Sequence, residues 1–392
     1  MMTVDGNAPV QEKSYWQRLS FKFDIRAYTM IFALIAIWLL FSVLTDGRYL
    51  IPRNISNLSR QMSITAVLAI GMVMVIVATH IDLSVGSILG LTGALAAVLQ
   101  VWYHVPTVWA ILATLALGVL IGAWQGFWVA YGKVPAFIVT LAGQLAFRGV
   151  VMGILKGLTV APMWPDFKNI SSGYLELLPG VILASLGILT LIISKLRARR
   201  AKLKYGFEVR PIAIELLILA FYCGLIILFT YILYQYEGIP YPILVVLALV
   251  LIFTFITKNT QFGRQVYAMG GNADAARLSG INIRRRTMLV FILMGLLSAI
   301  AGILTTARLN AATTTAGSNM ELDAIASCVI GGTSLMGGVG SIPGAILGAL
   351  VMASIDNGLS MMNTESFWQF VIKGLVLLLA VWLDIKTKDT KK

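Results

Sequence analysis

The chain has 392 residues, 58% of them hydrophobic and only 12% charged, with a formal net charge of +13. A soluble chain of this length needs more charge than that, and the mean hydropathy of +0.87 belongs to a membrane protein. The cations cluster beside apolar runs, which argues against a nucleic-acid surface and matches loops facing an anionic leaflet.

Apolar runs of bilayer-spanning length recur along the chain, and strands of alternating polarity are absent. The fold class read here is all-α, a polytopic transmembrane helical protein with about 10–12 membrane helices, broken or half helices included. The twelve predicted spans are 27–45, 62–79, 85–103, 107–131, 136–155, 180–195, 211–236, 241–257, 288–307, 323–336, 341–359 and 366–385. Residues 1–26 form a polar amino-terminal segment, 27–385 a single transmembrane domain and 386–392 a basic tail. The first span lacks a small-residue cleavage pattern, so it reads as permanent rather than as a signal peptide. The tenth is short and glycine-broken, as expected of a half-span or a bent helix.

Twelve crossings put both termini on one side. Segments on that side hold most cations, with dense runs at Lys195–Lys204 and Arg284–Arg286. The other side holds Arg48, Arg53, Arg60, Lys156, Lys168 and Arg308. This asymmetry predicts cytoplasmic termini.

In chain order, the first anomaly is "HIDLSVGS", residues 80–87, between two apolar runs. An ionisable group at membrane depth is costly and must face protein or water. Asp82 either lines or gates a pathway, or caps the next helix by accepting from the amide of Ser84 or Val85. The spacing D-L-S-V-G-S favours the cap. Ser84, Gly86 and Ser87 complete this helix break near the pore. Further along, Arg148 and Lys373 fall within spans and need partners among Asp82, Glu215 and Asp356, or else snorkel.

The segment 262–287 is the longest well-patterned polar loop. Within it "NADAARLSG" reads as a short helix, with Asn272 as N-cap, Asp274 in the first turn and Gly280 just past the end. It is too short to stand alone. A face of Ala273, Ala275 and Ala276, flanked by Asp274 and Arg277, fits either a solvated loop helix or a helix docked on a soluble partner. In 313–325, predicted to be outside, Glu321 and Asp323 precede a helix and favour its dipole, and the same place suits a partner protein.

No energy-coupling or catalytic motif is present. The stretch "GGTSLMGGVGSIPG", 331–344, has no lysine, so it is no P-loop, and it reads as close helix packing or irregular backbone at a cavity. His80 and His104 are the only histidines, and Cys223 and Cys328 lie far apart in apolar runs. A usual zinc site, a disulfide framework and the common hydrolase motifs are all missing. The chain is expected to be non-catalytic, without a metal or a cofactor of its own.

As a set, "IDLSVGS", "VPAFIVTLAG", "FGRQVYAMGGNADAARLSGIN", "ELDAIASCVIGGTSLMGGVGS", "DNGLSMM" and "FWQFVIKG" resemble the permease subunits of bacterial ATP-driven sugar importers of the ribose, xylose and arabinose type. The resemblance runs in order from about residue 30 to the end. The extra apolar pair near 180–236 is similar in length and arrangement to the xylose permeases. The resemblance implies a homodimeric pore in the bacterial inner membrane, a separate cytoplasmic ABC ATPase that holds ATP and Mg, and a periplasmic sugar-binding protein. It favours docking for the 272–280 helix and an ATPase-coupling role for Asn272, Asp274, Ala275, Arg277 and Gly280. His80 departs from the glutamate or glycine common before "IDLSVGS", and is expected as a buried neutral imidazole.

A neutral, hydroxyl-rich sugar calls for hydroxyl, amide and aromatic groups along its path. Thr140, Gln144, Asn357, Trp368 and Gln369 are the candidate lining residues. D-xylose is the expected cargo. The alternatives are ribose, arabinose or galactose in the same role, and an ion-coupled secondary sugar transporter.

Overall fold

The computed structural model describes residues 25–207, 209 and 211–389, with side chains described from 30 to 382. Residues 1–24 of the expected 1–26 segment, Glu208, Arg210 and the last three residues of the tail lie outside them. Each of the twelve predicted spans falls on a helix, but the tenth, 323–336, is helical only to Ile330, and the glycine-rich residues that follow turn away from the helix.

Helix α1 (Ile25–Leu44) leads through a 3-10 turn, Arg48–Leu50, into α2 (Pro52–Val77). After an extended break come α3 (Val85–Ala97), prolonged by a π turn Val98–Trp102, then α4 (Thr107–Ala130) and α5 (Ala136–Leu155). A short α6 (Pro165–Ser172) precedes the hairpin of α7 (Leu177–Lys204) and α8 (Ile212–Tyr234). Next are α9 (Tyr241–Asn259), α10 (Gln261–Gly271), α11 (Ala273–Leu278) and α12 (Ile283–Leu309). The chain closes with α13 (Met320–Ile330), α14 (Ile342–Met361) and α15 (Ser366–Asp389). Strands β1 (Tyr174–Leu175) and β2 (Ile239–Pro240) pair antiparallel, fastening the starts of α7 and α9 together.

Among the described residues, nine helices are long and apolar enough to cross a membrane, and α1 and α15 carry shorter apolar stretches, Met30–Leu44 and Ser366–Trp382. Helix α13, with 11 residues, is about 16 Å long, half the thickness of a hydrocarbon core. This is a polytopic helical membrane protein.

Helix α2 begins ten residues before the predicted span. Proline sits at its first turn, where its missing N–H costs nothing. Its first half carries Asn54, Ser56, Ser59 and Ser63, all buried. Hydropathy reads exposure to lipid, and this helix lies inside protein. Ser59 and Ser63 donate to the carbonyls of Ile55 and Ser59, both at 2.8 Å, so their hydroxyls need no other partner. Polar helices α6 and α10 were likewise not predicted.

The core joins α2, α3, α4, α12, α13 and α14. Close approach there depends on missing side chains. Gly118, Gly122 and Gly126 recur every fourth residue on α4 and face Gly295, Phe291 and Met288 of α12, and a Cβ on Gly118 or Gly295 would strike the other's backbone oxygen. In lipid, where apolar burial between helices gains little, such small-residue contacts hold helices together. By contrast, the α7–α8 hairpin is peripheral and almost wholly exposed.

Candidate translocation site and coupling face

Two interruptions of the helical backbone meet inside this bundle. The first is residues 78–84, between α2 and α3. There Asp82 is 1% exposed and accepts from the Ser84 amide at 2.8 Å and the Ser84 hydroxyl at 2.6 Å. These bonds close a turn just before α3. They reach the N-cap residue itself rather than the amides of the first helical turn, and Ser84 as N-cap makes no side-chain cap bond. Gln125, fully buried on α4, donates to the Ser84 hydroxyl at 2.7 Å. Asp82, Ser84 and Gln125 therefore form one chain of hydrogen bonds.

The second interruption is residues 313–319. Beyond α12, Ala312 pairs with Val160 as an isolated bridge. The chain then turns back into the bundle, with Gly317 at φ +75°. Gly86 and Gly317 lie so close that a Cβ on either would meet the other's carbonyl oxygen. Helix α13 starts at this crossing, with Glu321 and Asp323 in its first turn, favourable to the helix dipole.

Helix α5 ties this second break down. Arg148 donates to the carbonyls of Thr314 at 3.0 Å and Ala316 at 2.8 Å. Gln144 donates to Glu321 at 2.8 Å. Backbone without helical partners is tolerated at membrane depth only where protein supplies bonds, and Arg148 supplies two. Its partners are thus carbonyls, with Glu321 within electrostatic reach. Lys373 bonds Asp323 at 3.0 Å and Asp356 at 2.9 Å, linking α15 to α13 and α14. Of the three carboxylates considered for these cations, Asp356 is the one engaged; Glu215 pairs with Arg199 in the hairpin and Asp82 with Ser84.

The five candidate lining residues do not come together. The buried Thr140 hydroxyl donates to Ala136 at 2.9 Å and to Ile81 of the first break at 3.3 Å. Gln144 is on the same helix. Asn357 accepts from Asn54 at 2.8 Å in a separate α2–α14 contact. Gln369 donates to Thr364 at 2.9 Å, and Trp368 lies half exposed against Phe367. Gln125 and Glu321 are the residues that were missed as part of this site. The signal for Gln125 was an amide within the apolar stretch "GAWQGFW".

At one end of the bundle lie α10 and α11. Asn272 caps α11 by accepting from the Ala275 amide at 2.9 Å, and Gly280 follows with φ +81°. Asp274 and Arg277, both exposed, sit 3.9 Å apart one turn from each other. The small-residue face is not a single exposed surface: Ala276 is buried in the core, and Ala273 lines a cavity. What projects outward is Leu278, 90% exposed.

The glycine-rich stretch 331–344 packs against this end. Gly338 donates to the Val77 carbonyl at 3.0 Å, and Tyr267 of α10 donates to the Gly340 carbonyl at 2.9 Å. Val77 is the last residue of α2 before the first break, and 331–344 leads out of α13. The edge of the first break and the segment leaving α13 are therefore both held at α10. A cavity of about 690 Å³ opens beside them, lined by Thr79, His80, Lys133, Arg277 and Arg284 among others. Among the described residues, no group of histidine, cysteine or carboxylate side chains is arranged to hold a metal.

Apolar spans around two helix breaks, joined by irregular backbone to a capped helix at one end, define a multi-pass membrane permease. The chain belongs to the family described as branched-chain amino acid transport system, permease component, which matches residues 54–381. It is 48% identical over 365 residues to the xylose transport system permease protein XylH of Haemophilus influenzae, covering 93% of this chain and 97% of that protein. To the protein of the same name from Escherichia coli K12 it is 49% identical over 366 residues, 93% of each chain. The ribose import permease protein RbsC of E. coli K12 is 37% identical over 357 residues, 91% of this chain and 92% of that one. No solved structure matches.

Proposed function

We propose that this chain is the membrane subunit of an ATP-driven importer in the bacterial inner membrane, and that its cargo is a pentose, D-xylose. The observation that carries the reading is the identity of 48–49% to xylose permeases over 93% of this chain. In this reading two copies form the pore, with their termini in the cytoplasm. A separate ATPase subunit holds ATP and Mg, and a periplasmic protein delivers the sugar.

In this reading coupling runs through α10 and α11. The ATPase engages the exposed surface of α11 through Asp274, Ala275, Arg277 and Leu278, with Asn272 and Gly280 fixing the helix ends. Moving α10 and α11 displaces Val77 and 331–344 together, and so acts on the first break directly and on the second through α13. The two arrangements of the breaks are the outward and inward states, and ATP shifts their populations. Among the buried oxygens at the breaks, Ser87 Oγ, Gln125 Oε1 and Glu321 Oε2 have no protein partner here. When the breaks part, these acceptors face a passing sugar, whose hydroxyls donate to them.

The test is ATPase activity of the complex of this chain, its ATPase subunit and the binding protein in proteoliposomes, with each pentose in turn. Xylose-loaded binding protein should stimulate hydrolysis and uptake most. Uptake by this chain alone, driven by an ion gradient, would overturn the reading.

A further inference from the structure

The α7–α8 hairpin takes no part in either break or in α10–α11, and its two apolar helices are hardly buried. Helix α7 has 28 residues and is about 42 Å long, against a hydrocarbon core of about 30 Å. Its first part, 177–194, has no charged residue, and residues 195–204 then carry Lys195, Arg197, Arg199, Arg200, Lys202 and Lys204. The change in composition falls where the helix must leave the hydrocarbon.

This projecting turn is not simply a solvated basic loop. Arg197, Arg200 and Lys204 share one helix face, beside Leu196 and Leu203. All five are exposed, and Tyr205 and Phe207 follow at 71% and 65% exposure. Cations interleaved with exposed leucine and aromatic side chains are the composition of a bilayer interface, where apolar groups dip among acyl chains and cations meet headgroups. The hairpin also holds its shape by itself. Arg199 pairs with Glu215, and Lys195 lies over the Tyr222 ring at 5.9 Å. Helices α7 and α9 both start at the β1–β2 pair, and two bilayer spans that enter from one side leave on the other. The tip thus lies at the end of the bundle that carries α10 and α11.

We propose that the tip of this hairpin, residues 195–207, binds anionic phosphodiester lipid headgroups and anchors the hairpin to a negatively charged leaflet beside the α10–α11 face. Charge complementarity and continuity with the apolar span select the lipid surface as occupant. Topology alone would need only net positive charge, whereas this surface interleaves its cations with apolar side chains over the turns that leave the hydrocarbon.

The test uses the full chain, stripped of lipid in detergent and titrated with phosphatidylglycerol or phosphatidylcholine, with bound lipid counted by native mass spectrometry. The wild type should retain phosphatidylglycerol over phosphatidylcholine by at least about tenfold. Replacing Arg197, Arg200, Lys202 and Lys204 together by glutamine should remove that preference, and Arg197→Lys with Arg200→Lys should keep it. A measurement without variants is hydrogen exchange of 195–207 in nanodiscs, which should slow several-fold when phosphatidylglycerol is included. No lipid preference in the wild type, an undiminished preference in the glutamine variant, or unchanged exchange overturns the proposal. Loss of ATPase-subunit binding in the glutamine variant with lipid retention intact would reassign the surface to a protein partner.

Discussion

The Gln144 amide donates to the Glu321 carboxylate at 2.8 Å, joining the middle of α5 to the first turn of the half helix α13. The bond spans 177 residues of sequence. It is a side-chain link between α5 and α13, and it sits beside the crossing of Gly86 and Gly317. Replacing Gln144 by leucine leaves a carboxylate oxygen without its donor, at a cost of about 1–3 kcal/mol. Thermal unfolding in detergent should show that loss, and sugar uptake should fall further than stability does. Gln144→Glu should be worse, because it sets two carboxylates together. A leucine variant with native stability and native uptake would remove this bond from the mechanism.

Lys373 balances two carboxylates at once. Lys373→Met strands Asp323 and Asp356 in protein and should destabilise by about 3–5 kcal/mol. Adding Asp323→Asn and Asp356→Asn to that variant should recover most of the loss, since no charge then remains buried. A triple variant no more stable than Lys373→Met would show that the packing of the lysine stem, not its charge, is what matters.

Asp82 is read as the residue that closes the turn before α3. Asp82→Asn keeps an acceptor for the Ser84 amide and should retain most uptake. Asp82→Ala loses it and should cost about 1 kcal/mol. Complete loss of transport in the asparagine variant, with the fold intact, would mean that the carboxylate charge itself acts on the cargo or on gating.

Asp274 and Leu278 are exposed, so changing them should barely alter the stability of the isolated chain. Asp274→Arg is expected to uncouple hydrolysis from uptake in the assembled transporter. Leu278→Ala should weaken retention of the ATPase subunit on affinity resin by roughly tenfold, as truncating an interface anchor does. Coupled transport at the wild-type rate in Asp274→Arg would sink the docking assignment for α11.

Gly295 faces Gly118 and Gly122 across α12 and α4. Gly295→Ala should lower stability by about 1–3 kcal/mol through overpacking, and Gly295→Leu should prevent assembly of the bundle. A Cβ added at Gly149 or Gly153 on α5 would meet nothing within 4 Å beyond its own helix. Alanine there should leave the isolated chain unchanged in a melting assay.

The contrast between α11 and α13 shows what was legible. For α11, an asparagine, a first-turn aspartate and a glycine located the helix to within a residue at each end, because caps are local bonds three residues apart. For α13, the short glycine-broken pattern predicts a half-span or a bent helix over 323–336, whereas the helix runs from Met320 to Ile330 and the residues before it fold back so that Gly317 meets Gly86. Nothing local says that Gly317 and Gly86 must touch. Residues 52–61 failed for a related reason: Asn54, Ser56 and Ser59 look wet, yet they are buried by the rest of the protein.

The sequence by itself determined the helical membrane class, the spans and their breaks, the capped helix between α10 and α12, and the family. Transfer to lipid, helical bonding and capping act within one turn or one span, so a single stretch of chain suffices to specify them. Tertiary structure alone decided that Arg148 holds carbonyls, that Lys373 takes Asp323 and Asp356, that Gln125 joins Asp82 and Ser84, and that the five candidate lining residues do not converge. Those partners come from different spans that hydropathy cannot tell apart. Which faces meet is set by where missing side chains let two backbones approach and where buried polar groups find donors.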